Sequence, residues 1–210
     1  MYLTIGLLVL FGLLYGYFRE KAGKRALIFK AGATSMAVFA GIYGALQTHR
    51  LAEWVIVLGL ICCMAADVIL EIQFIRGVYL FGAAHLLFIL AFCQKVVPTK
   101  YTWMIFFGIY VCAFLIFHDK IGMLGDLKRQ AFGYMAVLVG MVAMAFTVYL
   151  HLQSDMALLY SIGACCFLVS DYIIAWTMVY ERRKRIDGIL IMALYYAAVY
   201  LIGSAVWITR

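Results

Sequence analysis

Eight apolar stretches separated by short charged segments take up most of this 210-residue chain. A helix that crosses the hydrocarbon core of a bilayer needs about 20 mainly apolar residues, and eight such helices need about 160. Hydrophobic residues make up 68% of the chain, whereas soluble domains are about half apolar. We therefore predict an all-α polytopic membrane protein in which residues 1–210 form a single integral membrane domain. The predicted spans are 2–18, 26–46, 52–70, 78–94, 101–117, 130–150, 156–178 and 187–208.

Basic residues are divided unevenly between the two sets of loops. The first, third, fifth and seventh loops share one side of the membrane and hold 13 of the 17 Lys and Arg residues. Because Lys and Arg concentrate in cytoplasmic loops, that side is predicted to be cytoplasmic, and both termini non-cytoplasmic, in the plasma (inner) membrane. The loops on both sides of the membrane are too short for a nucleic-acid-binding module. The thirteen are Arg19, Lys21, Lys24, Arg25, Lys30, Arg76, Lys120, Lys128, Arg129, Arg182, Arg183, Lys184 and Arg185.

Six cysteines lie inside the apolar stretches. They lack the spacing of a zinc site, and adjacent cysteines do not supply an ordinary disulfide framework. We interpret them as small hydrophobic residues in helix packing and expect neither a metal nor another cofactor. The six are Cys62, Cys63, Cys93, Cys112, Cys165 and Cys166.

Asp67 and Asp171 are the two acidic residues that lie well inside apolar stretches. An ionisable group at membrane depth costs about 3 kcal/mol on insertion scales and is a functional candidate by default. Each aspartate lies 16 residues after the start of its apolar stretch, at Leu51 and Asp155, which is about 24 Å along a helix. Both then lie about 6 Å from the cytoplasmic boundary of the hydrocarbon core. The alternative is a structural, hydrogen-bonding Asp near the interface.

The surroundings of the two aspartates also show a weak internal repeat. Cys62-Cys63 precedes Asp67, and Cys165-Cys166 precedes Asp171. The two aspartates are 104 residues apart, close to half the chain length. This spacing is compatible with two parallel four-helix repeats, because an even number of helices preserves direction. A chance coincidence is the alternative.

Other polar residues reach similar depths from the cytoplasmic side. Lys30 and Tyr134 lie about 6 Å in, His85 about 10 Å, and Tyr195 and Tyr196 about 12 Å. We expect these groups to converge on one polar cavity that is open to the inner leaflet. For Lys30 the alternative is snorkelling to the interface, and for His85 a hydrogen bond to a neighbouring helix. For the tyrosines it is an aromatic belt or core packing.

Two carboxylates in a low-dielectric cavity suit acid–base catalysis. One carboxyl group stays protonated near neutral pH, while the other stays ionised if donors stabilise it, and the sequence leaves open which is which. A proton-coupled carrier with a site inside the membrane is the competing class, although the acids lie towards one face and no helix pair is visibly broken. A non-catalytic lipid-binding or scaffold protein is the third.

The residues around these carboxylates resemble the YhhN-like lysoplasmalogenase family. The segment from Asp67 to Leu86 is similar to that family's block "GD-x-x-L … F-x-x-G … F-x-x-x-H-x-x-Y". Phe167 and Ser170-Asp171 resemble its "F-x-x-S-D" block. Two further segments resemble later signatures, namely Tyr134 with Met141, and Tyr195-Tyr196 with Tyr200-Leu201-Ile202. The chain departs from the pattern at Ala66, Phe88 and Val199, where the family usually has Gly, Tyr and Gln.

The resemblance implies an eight-helix enzyme that hydrolyses the vinyl ether bond of lysoplasmalogens. Its products are a fatty aldehyde and a glycerophospho-base. For that reaction we expect Asp67, Asp171 and His85 to be catalytic, with His85 relaying a proton or orienting a carboxylate. The expected partners are a lysophospholipid substrate and the bilayer, with no nucleic acid, and the oligomeric state is left open. The expected substrate-binding residues are Lys30, which would meet the phosphate, and Tyr134, Tyr195 and Tyr196.

Overall fold

The computed structural model describes residues 2–181 and 184–208, apart from five side chains, those of residues 20, 22, 121, 124 and 126. Within that part of the chain, eight helices are long and apolar enough to cross a membrane, which confirms the predicted fold class. Two short 3₁₀ segments, Gly23–Ala26 and His118–Leu127, connect helices. Arg182 and Arg183 of the predicted cytoplasmic set lie outside the described residues. The helices are α1 (Tyr2–Ala22), α2 (Leu27–Thr48), α3 (Leu51–Ile72), α4 (Phe74–Cys93), α5 (Lys100–Phe117), α6 (Lys128–Leu152), α7 (Asp155–Val179) and α8 (Arg185–Ala205).

The turn between α3 and α4 is shorter than predicted, because Gln73 alone separates the two helices. Gln73 is extended, with φ −143° and ψ 90°, and α4 begins at Phe74 rather than at residue 78. The reversal brings Gly77 against Leu70, and a Cβ at residue 77 would lie 2.7 Å from the Leu70 backbone nitrogen. The absence of a side chain at Gly77 therefore allows this tight turn, which apolarity alone did not reveal.

Six of the described helices pack as a closed ring in the order α2, α3, α4, α6, α7, α8, and α8 returns to α2. α1 packs outside the ring against α2 and α8, and α5 packs outside it against α6. The neighbours of α2–α4 thus recur for α6–α8, and α1 and α5 each pack outside the ring against the helix that follows, which is the arrangement that two four-helix repeats produce. Almost fully buried side chains from five helices meet inside the ring, among them Leu60, Phe88, Met141, Phe167 and Ile202.

Close packing of α2 against α8 depends on Gly203. A Cβ at this position would lie 2.5 Å from the carbonyl oxygen of Ala37. We expect Gly203→Ala to lower the free energy of unfolding by about 1–3 kcal/mol, because the helices must move apart. The measurement is the Tm of the detergent-purified protein. Gly108→Ala is the matched control, since a Cβ there meets nothing within 4 Å, and an equal Tm for both variants would contradict the prediction.

Candidate active site

A cavity of about 540 Å³ lies inside the bundle and contains both membrane-embedded aspartates in its lining. It extends from Asp67 and Asp171 to the end of the bundle where α3 and α7 end and α4 and α8 begin. Six of the seven site residues predicted from the sequence line this cavity. They are Asp67, Asp171, Lys30, Tyr134, Tyr195 and Tyr196.

Asp67 is buried at the junction of α2, α3 and α8, where it has three polar partners. The hydroxyl groups of Thr34 and Tyr195 donate hydrogen bonds to its Oδ2 atom, at 2.5 and 2.7 Å. Its Oδ1 atom lies 3.8 Å from Nζ of Lys30. Two donors and a cation stabilise the charged form of a buried carboxylate. Thr34 was not predicted, although its position four residues after Lys30 puts both side chains on one helix face.

Lys30 is held between two carboxylates instead of extending to the membrane surface. Besides Asp67, its Nζ atom lies 3.2 Å from Oε1 of Glu71. The same oxygen of Glu71 accepts a hydrogen bond of 3.0 Å from the hydroxyl of Tyr15. The ammonium group that was expected to meet a phosphate therefore already neutralises charge within the cavity wall.

Asp171 has fewer polar partners than Asp67. The hydroxyl of Tyr134 donates a hydrogen bond of 2.5 Å to its Oδ2 atom. Among the described residues, none of the ion pairs includes Asp171. Tyr134 precedes Asp171 by 37 residues, the same separation as between Lys30 and Asp67, so the second half of the chain has a hydroxyl at the position where the first half has a cation. With one donor and no cation, Asp171 is suited to the neutral, proton-donating form.

His85 lies behind the cavity and does not contribute to its lining. It is fully buried, and within the described residues its ring nitrogens make no hydrogen bond of ordinary geometry. Its ring contacts Tyr134 and Phe167 edge to face, at centroid distances of 5.7 and 4.9 Å. Among the groups that line the cavity, Tyr134 is in direct ring contact with His85.

Tyr196 lines the cavity and carries a buried hydroxyl group without a hydrogen-bond partner among the described residues. Its ring packs on α1 at Gly12, where a Cβ would lie 3.3 Å away. Buried polar atoms are normally paired, so this hydroxyl needs a partner that the described residues do not supply.

The opposite end of the bundle is closed by a second buried polar cluster. Lys95 Nζ lies 2.5 Å from Oε1 of Glu53, and the hydroxyl of Tyr160 donates a 3.3 Å hydrogen bond to Oε2 of the same carboxylate. Thr102 on α5 and Thr147 on α6 form a buried pair of hydroxyl groups at 2.7 Å. The sequence did not predict the pairing of Glu53 with Lys95, because the two residues belong to different segments 42 residues apart.

Comparison with known proteins agrees with this architecture. The model of the YhhN family matches residues 25–206, a range that contains α2 to α8 and both aspartates and leaves out α1. No curated protein and no solved structure matches the chain significantly. The family match extends over most of the sequence, and on that basis the chain belongs to the YhhN family.

Proposed function

We propose that this protein is a membrane hydrolase that cleaves the vinyl ether bond of lysoplasmalogens to a fatty aldehyde and a glycerophospho-base. The observation that carries the proposal is the pair of aspartates, Asp67 and Asp171, lining one cavity in different electrostatic surroundings. Membership of the YhhN family supports the same reaction class.

The cavity has two unlike parts that suit a single-chain lipid. Its polar side, at α1, α2 and α3, carries the Lys30–Glu71 pair. Its other side is built from large apolar and aromatic side chains of α5, α6 and α7. The volume is within the range of sites that enclose small ligands. A head group would lie on the polar side and the alkenyl chain on the apolar side. The apolar side includes Phe114, Phe117, Phe132, Tyr172 and Met178.

The two aspartates divide the chemistry between them. Asp171 donates a proton to the vinyl carbon that bears the alkyl chain, which leaves an oxocarbenium ion at the carbon bearing oxygen. Asp67 stabilises that cation and removes a proton from the attacking water, as paired carboxylates do in glycoside hydrolysis. The hemiacetal then collapses to the aldehyde and the free glycerol hydroxyl. One water is consumed and no net proton, and the proton that Asp67 takes has to pass back to Asp171, directly or through water in the cavity, before the next turnover.

A proton-coupled carrier that uses the same aspartates is the competing function. A carrier has to open its site to both sides of the membrane in turn. The far end of this bundle is held together by the buried Glu53–Lys95 pair, which favours a site with one opening. Proton-coupled flux across proteoliposomes without product formation would favour the carrier.

We also propose that the cavity opens towards the cytoplasmic leaflet of the plasma membrane. The argument is the concentration of basic residues at the open end of the bundle, where Arg19, Lys24, Arg25, Arg76 and Lys128 lie. Both termini are then non-cytoplasmic.

Release of aldehyde from lysoplasmenylethanolamine tests the proposed activity directly. We expect release by the detergent-purified protein and none by the Asp67→Asn, Asp171→Asn double variant. The saturated O-alkyl analogue is the substrate control, because it has no vinyl carbon to protonate and should release nothing. A folded wild-type protein that releases no aldehyde would refute the activity. Equal release by the double variant would refute the role of the aspartates.

A further inference from the structure

The first helix contributes side chains to the polar side of the cavity although it lies outside the matched family region. Tyr15 and Arg19, both on α1, belong to the cavity lining. The hydroxyl of Tyr15 reaches across to Glu71 on α3 at 3.0 Å, and the Arg19 guanidinium lies 5.9 Å from the centre of the Tyr15 ring. Arg19 and Glu71 therefore flank the same tyrosine. The site in this chain has a wall that the family match does not account for.

The charged side chains in this wall differ in their solvent exposure. The side chains of Asp67 and Lys30 are 2% and 10% exposed, whereas that of Glu71 is 34% exposed. Arg19 is partly exposed, and none of the ion pairs among the described residues includes it. Arg19 and Glu71 thus both keep accessible surface in this wall, although Glu71 also pairs with Lys30, and Lys30 and Asp67 lie beneath them. A ligand that carries both signs of charge fits this pattern better than one that carries a single sign.

The distance of Glu71 from Asp67 along α3 matches the distance between the ether oxygen and the phosphate of a lysolipid. Glu71 lies one helical turn, about 6 Å, beyond Asp67 towards the open end. A glycerol unit of three carbons separates the ether oxygen of a lysolipid from its phosphate, so the head group would reach the level of Glu71 when the ether lies at Asp67. Tyr196 lines the same cavity, its buried hydroxyl has no hydrogen-bond partner among the described residues, and its ring packs on α1 at Gly12.

We propose that Arg19, Glu71 and Tyr196 form a subsite for the zwitterionic head of a lysophospholipid. The Arg19 guanidinium binds the phosphate, the Glu71 carboxylate binds the cationic amine, and the Tyr196 hydroxyl bonds the free glycerol hydroxyl. Charged hydrogen bonds of this kind are the strong ones and give geometric selection. The subsite rests on the proposed function for its substrate class, but it makes a separate claim about binding.

Binding of non-hydrolysable O-alkyl lysophospholipids tests the subsite without any need for turnover. The probes are O-alkyl lysophosphoethanolamine, which carries an amine, and O-alkyl lysophosphatidic acid, which does not. We expect the full-length protein in detergent to prefer the amine-bearing probe. Glu71→Gln should reduce that preference about tenfold, since the amide keeps the hydrogen bond from Tyr15 but loses the charge. Arg19→Gln should weaken both probes about tenfold.

Two charge-matched variants outside the cavity lining serve as controls. Lys21→Gln removes a cation from an exposed residue of α1, and Asp119→Asn removes an anion from an exposed residue near the same end of the bundle. Both should leave the two affinities unchanged. Equal effects of Lys21→Gln and Arg19→Gln, or an unaltered preference in Glu71→Gln, would overturn the subsite. Selective binding without aldehyde release would refute the hydrolase alone, and release with an unaltered preference would refute the subsite alone.

Discussion

Replacing Asp171 by Asn is expected to lower the rate of aldehyde release at least about a hundredfold, because it removes the general acid that protonates the vinyl carbon. Asp67→Asn is expected to lose a similar factor, because it removes the carboxylate that stabilises the oxocarbenium ion and activates water. The measurement is single-turnover aldehyde release from lysoplasmenylethanolamine. Near-normal turnover in either folded variant would refute the two-carboxylate mechanism.

Asp155→Asn is the matched control for these variants. Asp155 starts α7, the helix that carries Asp171, but it is exposed and does not line the cavity. The same removal of one carboxylate should leave the rate unchanged there. A wild-type rate in this variant would show that the lower rates of the Asp67 and Asp171 variants come from changes in the cavity and not from the change in net charge.

Small acids added to truncated variants can separate the two roles. Asp171→Ala leaves space in an accessible cavity, and we expect its rate to rise with the concentration of undissociated formic acid, the proton donor. Asp67→Ala should instead respond to the formate anion, which replaces the missing carboxylate. An identical response of both variants would contradict the division of roles argued from Lys30 and Tyr134.

Glu53→Gln is expected to lower the free energy of unfolding by about 3–5 kcal/mol, because it leaves the buried Lys95 ammonium without a counter-charge. The double variant Glu53→Leu, Lys95→Met removes both charges and should recover most of that loss. The measurement is the Tm of each detergent-purified variant, and the single variants Glu53→Leu and Lys95→Met complete a double-mutant cycle with the double variant. A double variant no more stable than Glu53→Gln would show that the loss comes from packing and not from the unpaired charge.

An exposed histidine–carboxylate contact in the same chain provides the reference for this measurement. His118 and Asp119 lie 2.9 Å apart, but both side chains are at least half exposed. Breaking it with Asp119→Asn should change the free energy of unfolding by no more than about 1 kcal/mol, since solvent screens such pairs. A loss as large as that of Glu53→Gln would contradict the assignment of the effect to burial.

Apolarity along the chain determined the helices of this protein, because a backbone in hydrocarbon has to satisfy its own hydrogen bonds and helices do so locally. The cost of charge at membrane depth likewise singled out Asp67 and Asp171 before any contact was known. The start of α4 was misplaced by four residues, since the tight turn at Gln73 depends on Gly77 and not on hydropathy.

Only the tertiary structure decided how side chains from distant segments meet. Tyr195 reaches Asp67 across 128 residues, and Tyr15 reaches Glu71 across 56. The position of His85 behind Tyr134 likewise became known only from the tertiary structure. These contacts depend on which helices are neighbours and on how each is rotated about its axis. In a bilayer, lipid tails are as apolar as a helix face, so the hydrophobic pattern specifies neither the neighbours of a helix nor its rotation. Close packing, as around Gly203, and pairing of polar side chains determine both.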